Sequence, residues 1–591
     1  MKKLAVIALF VSIIASLHGV AWSQYQRPNV SYEAAGQLAS LARSAMTDYL
    51  HKRTPADKYP IPDSLSMFDS DAYDYTVFIT LRRDGVKLAS GSASGRGLAR
   101  NTVAAALKAM RSSALGDRVT DDTLTKLAVE IEILGQMQVI PEQDVTAKLI
   151  PGLLGLRFWS GIDDPKLIGL LKANNIDVTI LPSEEYRNGW TPLQIREKIL
   201  ETVSKTDVSL LPDSKPKWQI FSSLHFLNPA DTKECYIYYR GKILRVYPGN
   251  KYFLVTLLNA SARNFDMAES SVKNPDGTSA PLWQELYLAY VMRKVAAKFP
   301  GKIRKLSTDI ANAILAKVAK ERVRFDHRMN IAYVMADPTE DEILSTAFLS
   351  LAVAGDNSNP EIVSLSKAIR NFLFMRIDNN GVITDSRERK IGNLAFAVAL
   401  RAIAQEKMTP QQTMIFCKSL DTLLGRAGEM GSSIKQGDSL DLTATAWLAR
   451  TIIAGGAEIQ TQYLTFLKRF TKRLIDAQPE FSQLLDENGA LIDSRGQADT
   501  VATATAVCVF MEMQGVAKWA GVSAASRNAI DFCWLMSYRP HEAYFAADQA
   551  KWPGAVRINP AAAKTSLAAS AAVLDAITDI MAPESETDKK S

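Results

Sequence analysis

Cysteine is scarce and scattered. Cys235, Cys417, Cys508 and Cys533 are the only thiols in 591 residues, and no two form a Cys-x-x-Cys pair, so the usual zinc and iron–sulfur frameworks are excluded. Cys508 and Cys533 fall on successive expected helices; an oxidising compartment would permit a bridge, and burial as free thiols is the alternative. A basic stripe is also missing. The net charge of +6 is spread over the whole chain, and groups such as Lys302, Arg304 and Lys305, or Lys468, Arg469, Lys472 and Arg473, sit on helical patterns and read as solvated faces. A nucleic-acid partner is therefore not expected. No apolar run after the first 23 residues approaches the ~20 residues that span a bilayer. No cofactor and no metal site is expected.

What is present begins with an address. Lys2 and Lys3 precede an apolar run from Leu4 to Leu17 and then Ala21-Trp22-Ser23, the layout of a secretory signal peptide cleaved after Ser23. The expected location is the bacterial periplasm or the exterior. The rest is too long for one core.

Residues 31–52 carry a helical apolar face. Tyr75 to Leu81 alternates as a strand, Asp84-Gly85 supplies a type I′ turn and Val86 to Ser90 returns. Leu98 to Met110 is an Ala-rich helix, Leu127 to Leu134 a strand with Glu130 and Glu132 on one face, and Thr191-Pro192-Leu193-Gln194 a capping box. Trp218 to Leu227 and Cys235 to Tyr247 extend the domain with further strands to about 250. The ordered series Val77-Phe78-Ile79-Thr80-Leu81, Arg118-Val119-Thr120, Val129-Glu130-Ile131-Glu132-Ile133-Leu134, Gly152-Leu153-Leu154-Gly155-Leu156, Leu181-Pro182 and Gly189-Trp190-Thr191-Pro192 resembles the AMMECR-type domain over about 75–210. That family's hairpin returns through Leu-Arg-Gly-Cys-Ile-Gly, whereas Val86-Lys87-Leu88-Ala89-Ser90-Gly91 stands here. The resemblance implies that any chemistry needing that thiol is lost. Lys87 and the Gly91–Gly97 loop remain as an anion-binding candidate at the start of the next helix, with a flexible connection as the alternative.

Helical periods replace strands from Leu254 onward. Asp378-Asn-Asn-Gly-Val-Ile-Thr-Asp-Ser-Arg387 returns 108 residues later as Asp486-Glu-Asn-Gly-Ala-Leu-Ile-Asp-Ser-Arg495, which marks a repeat array. Small-residue helices near 341–354, 392–405, 440–454, 500–513 and 564–577 alternate with longer-chained helices near 361–375, 409–425, 460–477 and 524–537, after an opening hairpin over 282–318. An inner ring of small-residue helices inside an outer ring predicts an α/α toroid, with an α-solenoid as the rival. The pattern is similar to the toroids of terpenoid cyclases, prenyltransferases and carbohydrate-active lyases or epimerases, without the DDxxD and DxDD signatures of the terpenoid enzymes. The two Asp-x-Asn-Gly pieces lack the further oxygens of an EF-hand and read as tight turns.

The expected map is thus a signal peptide at 1–23, an α+β AMMECR-type domain at 24–250, a linker at 251–280, an all-α domain of repeated helical hairpins at 281–580 and a disordered tail at 581–591. One unrepeated loop, Tyr538 to Arg557, gathers acids, bases and aromatics. It makes His541 and Tyr544 candidate acid–base residues, together with Asp385 and Asp493 of the repeated turns. Arg539, Trp552 and Arg557, with Lys87, are the ligand-binding candidates. Two functions stay open: an exported protein binding a small molecule, glycan or protein, and an exported toroid lyase, epimerase or hydrolase acting on an acidic polysaccharide.

Overall fold

The computed structural model describes residues 28–581 apart from 70–73, 113–119, 161–175, 206–216, 231, 233, 245, 357–358, 427–440, 480–481, 483, 517–518 and 520. The expected signal peptide, Arg118-Val119 and nearly all of the tail lie outside the described residues. The chain divides into two compact units: residues 1–244 with 540–549 and 561–563, and residues 245–539 with 550–560 and 564–591.

The first unit is built on an antiparallel sheet in the order β2-β1-β3-β7-β5-β6, from β1 (Asp74–Arg83), β2 (Val86–Arg96), β3 (Ala128–Leu134), β5 (Leu154–Ser160), β6 (Ile176–Ile180) and β7 (Lys217–Asn228). The long β7 is its spine. One edge of β7 pairs β3 and then β4 (Gln138–Ile140), and the other pairs β5 and then β8 (Tyr236–Tyr238). Asp84 and Gly85 have φ of 49° and 76°, the two positive values a type I′ hairpin turn demands. Helix α1 (Tyr32–Lys52) packs on α2 (Leu98–Met110), which covers β1 and β2. Gly91–Arg96 is not a loop: it continues β2 and pairs with Asp74–Ile79. Helices α3 (Pro182–Asn188) and α4 (Pro192–Ser204) follow, and α4 starts on the expected Thr191–Gln194 capping box.

The second unit begins earlier than expected. Residues 251–280 are not a linker, because α5 (Asn250–Arg263) buries Phe253, Leu254, Leu257 and Leu258 and is followed by a two-stranded ribbon at Phe265–Asp266 and Ser271–Val272. Helix and ribbon alternate because each apolar face meets a neighbour. Six inner helices are α6 (Leu282–Lys298), α8 (Glu342–Val353), α10 (Asn393–Ile403), α12 (Leu442–Ala454), α14 (Thr500–Val516) and α16 (Leu567–Ile580). Between them run outer helices α7 (Gly301–Glu321), α9 (Pro360–Met375), α11 (Pro410–Arg426), α13 (Leu464–Asp476) and α15 (Val522–Met536). Each inner helix packs on the next, and α6 packs on α16. The ring closes, with α5 as the outer partner of α16; it is a toroid and not an open solenoid.

Sequence explains the layers. Ile343 to Val353 of α8 is buried on every side, as a helix apolar all round must be, whereas α13 buries only Leu467, Phe470, Thr471 and Leu474 and turns its cations outward. The repeated turns also recur in space. Gly381 (φ 78°) lies against the Lys418 carbonyl of α11, and Gly489 (φ 82°) against the Asn528 carbonyl of α15. A Cβ on Gly489 would stand 2.0 Å from that oxygen, whereas one on Gly496 (φ 76°) meets nothing within 4 Å. Gly489→Ala is expected to lose about 2–4 kcal/mol, strain and overlap together, and Gly496→Ala only about 1–2 kcal/mol from backbone strain; equal shifts in thermal melting would contradict this.

Candidate functional site

The axis of the helical ring is layered. About five residues into their helices, Tyr287 of α6, Phe348 of α8 and Trp447 of α12 meet, with Tyr287 and Phe348 rings stacked at 4.7 Å and Trp447 edge-on to them at 5.7 and 5.6 Å. These rings plug the axis with dispersion contacts. Towards the C-terminal ends of the helices comes a layer of charge.

Arg450 of α12 is fully buried over the Trp447 ring at 4.7 Å. Its Nε donates to Glu512 Oε1 of α14 at 3.0 Å and its Nη1 to Asp575 Oδ2 of α16 at 2.8 Å. Lys294 of α6 joins Asp575 Oδ1 at 2.6 Å and Asp579 Oδ1 at 2.5 Å. Arg401 of α10 approaches Glu512 at 3.4 Å and donates to the Arg450 carbonyl at 2.6 Å. Five of the six inner helices contribute to this layer. Such charges lose hydration on burial and persist only when paired.

The pairing is incomplete. Arg450 Nη2, Glu512 Oε2, Arg401 Nε, Asp579 Oδ2 and the Tyr287 hydroxyl are buried with no hydrogen-bond partner. Buried polar atoms without protein partners are where ordered water or a polar ligand would bond. The environment also separates the two acids on α16. Asp575 is buried, but Arg450 and Lys294 hold its carboxyl well below the usual range; burial raises Asp579, Lys294 opposes, and the charge of Asp575 adds to the rise. The two carboxyls that share one lysine are thus pushed in opposite directions, the kind of separation that acid–base sites use. The layer reaches solvent through Glu512, Asp579 and Lys294, whose side chains are 18%, 15% and 25% exposed. Cys508 Sγ lies within 4.8 Å of oxygens of Asp575 and Asp579, a spacing that metal ligands use, but Lys294 and Arg450 already occupy those carboxylates and would repel a cation.

At the other end of the ring, burial pushes the Glu285 carboxyl up to about 7 against the pull of Lys317. A raised folded-state value means that this group's stabilisation is complete below the ordinary glutamate range and is lost as pH rises through about 7. The melting temperature is therefore expected to fall between about pH 5 and about pH 8, by the equivalent of about 2–3 kcal/mol, and Glu285→Gln should flatten that slope; an unchanged slope would refute the assignment.

The residues singled out from sequence fall in both units. His541 and Tyr544 belong to the first unit, whereas Arg539, Trp552, Arg557, Asp385 and Asp493 belong to the second. His541 stacks on Tyr236 at 4.7 Å. Tyr544 is buried, its hydroxyl 3.2 Å from Glu130 Oε1. Arg557 is buried 3.6 Å from the centre of the Tyr538 ring and donates to the Leu535 and Met536 carbonyls, Trp552 meets the same ring edge-on at 4.9 Å, and Arg539 lies over Trp534. These three organise the loop. Asp385 accepts from the backbone of Arg387 and Arg389 and from the Arg389 side chain, and Asp493 accepts from Arg495 and Gln497 in the same way; both hold turns. Lys87 is exposed on β2. Of the residues expected to converge on one cavity, His541 and Tyr544 are engaged in packing within the first unit and Arg557 within the second.

No protein-family model matches the chain, and no curated protein matches it. Among solved structures it is similar to an uncharacterised protein from Pyrococcus horikoshii at 19% identity, over 34% of this chain and 93% of that one, with a TM-score of 0.27. It is also similar to a GH76 α-mannanase from Bacteroides thetaiotaomicron at 10% identity, over 56% and 94%, TM-score 0.40, and to a sugar epimerase from a ruminal bacterium at 10% identity, over 56% and 98%, TM-score 0.40. The closed ring stands on its own helix packing and not on these likenesses.

Proposed function

We propose that the protein is an exported carbohydrate-active toroid whose site is the charged layer at the C-terminal end of the inner ring. The observation that carries this reading is the pair Asp575 and Asp579, pushed in opposite directions on one lysine and surrounded by buried polar atoms that lack partners. A sugar offers hydroxyls that both donate and accept, which suits Glu512 Oε2 as an acceptor and Arg450 Nη2, Arg401 Nε and the Tyr287 hydroxyl as donors. Asp579 is the acid that would protonate a leaving oxygen and Asp575 the ionised group that would steady positive charge on the ring. Arg293, Lys294, Lys298, Arg401 and Arg450 face Asp356, Glu512, Asp575 and Asp579 in this region, five cations to four carboxylates, so an acidic polysaccharide is the favoured substrate class.

The test is to incubate the full chain with polygalacturonate and, separately, with mannan, following new reducing ends and unsaturated products. Turnover of polygalacturonate is expected, and Asp579→Asn should lower it by about 100-fold or more while leaving the melting temperature within a few degrees. If neither glycan is turned over or bound, or if Asp579→Asn is as active as the unsubstituted protein, this assignment fails.

A further inference from the structure

The first unit carries a second polar centre, unrelated to the toroid's charged layer. Glu130 of β3 receives Arg82 Nε at 2.8 Å, Arg187 Nη1 at 2.7 Å and His225 Nε2 at 3.0 Å. Burial alone would raise this carboxyl, but Arg187 and Arg82, with His225, hold it well below its usual range. Into this centre projects Tyr544 from segment 540–549. Its hydroxyl donates to Glu130 Oε1 at 3.2 Å and accepts from Arg187 Nη1 at 3.4 Å. Its ring is flanked by Tyr238 at 5.3 Å and His225 at 5.5 Å, with the Arg82 guanidinium 5.7 Å above it. A carboxylate and a guanidinium at the hydroxyl, aromatic walls and a cation over the ring face together describe recognition of a phenol.

The segment that delivers Tyr544 is a strap of turns without an α-helix or strand; it buries Glu542, Ala543, Tyr544 and Ala546 and leaves Ala547, Asp548 and Gln549 exposed at its end. Its ties include the His541 carbonyl, which accepts from Tyr238 at 2.7 Å, the stack of His541 on Tyr236, Glu542 Oε1, which accepts from the Ile243 amide at 2.9 Å, and Gly85, which admits the Ala546 backbone where a Cβ would stand 2.1 Å from its carbonyl oxygen. His541 sits at φ 71°, a conformation that costs a non-glycine residue about 1–2 kcal/mol and favours release.

We infer that the first unit contains a phenol-binding pocket, formed by Glu130, Arg187, Arg82, His225 and Tyr238, that Tyr544 occupies as a tethered ligand and that opens to an external phenol when the strap at 540–549 withdraws. No chemical step is involved; one phenol replaces another on the same hydrogen bonds. The ligand is a small phenolic molecule or the tyrosyl side chain of another peptide, and the two are separable by probe.

The full chain is used throughout. With Tyr544→Ala, p-cresol is expected to raise the melting temperature saturably by about 3 °C or more, and toluene, which lacks the hydroxyl, by much less. In the unsubstituted protein, p-cresol at the same concentrations should speed amide hydrogen exchange across 541–549 by about tenfold while β3 is unaffected, because it competes with Tyr544. N-acetyltyrosine amide acting as p-cresol does would place the ligand on a peptide; p-cresol alone would place it among small phenols. Equal rescue by toluene, or exchange at 541–549 that p-cresol leaves unchanged, overturns the inference. The exchange arm needs no substitution, so it decides the matter even if Tyr544→Ala does not fold.

Discussion

Arg450→Ala is expected to destabilise the helical unit by about 3–5 kcal/mol, among the largest effects available to a single substitution outside the backbone. The arginine is fully buried, and it links Glu512 of α14 to Asp575 of α16. Among the described residues, removing it leaves Asp575 with Lys294 and Glu512 with a 3.4 Å contact to Arg401, and strands part of the fully buried Asp575 carboxylate. The double variant Arg450→Ala, Asp575→Ala should lose clearly less than the sum of its parts, because the second change removes the charge that the first one strands. Urea unfolding followed by circular dichroism measures both, and strict additivity would show that the pair is not coupled. Arg450→Met tests the other side of the argument: it restores packing over Trp447 but not the charge, so a loss close to that of alanine is expected.

The second large effect concerns the expected domain boundary. A chain of residues 24–244 alone should fail to give a stable first unit, because 540–549 supplies Tyr544 to Glu130 and Glu542 to the Ile243 amide. Exposing Tyr236, Tyr238, Leu227 and Ile243, which pack with Tyr544, removes several buried apolar side chains from the core at about 1.5–3 kcal/mol each when fully exposed. Adding a peptide of residues 538–550 in excess should recover cooperative melting. A truncated unit that melts as sharply as the full chain would show that the strap is dispensable.

How much of this was readable in advance depends on how local each signal is. The inner helices announce themselves through runs such as Ala502-Thr-Ala-Thr-Ala506 and Leu442-Thr-Ala-Thr-Ala446, because close helix approach selects small residues within one element. The Asp-x-Asn-Gly turns were equally plain, their positive φ being a property of single glycines. Closure of the ring was not, since it rests on α6 meeting α16 nearly 300 residues later. The charged layer left a fainter trace: Arg401, Arg450 and Asp575 each stand eight residues beyond the first residue of an otherwise apolar helix, a shared depth visible only once the helices are aligned. The loop from Tyr538 to Arg557 is hard to read because its residues are adjacent in sequence yet serve two units. Composition marks such a loop as polar; it does not say which wall each side chain will face.

Ring closure has a consequence for how the protein is made. The helix that completes the ring, Leu567–Ile580, follows all the other ring helices in sequence, and it carries both Asp575 and Asp579. During synthesis every earlier helix pair can fold on its neighbour as it emerges. Until that final helix arrives, however, the array is a crescent with two open apolar edges, and Lys294 and Arg450 lack the partners they will share. A chain that lacks Leu567–Ile580 would therefore keep both edges open and leave Lys294 and Arg450 without Asp575.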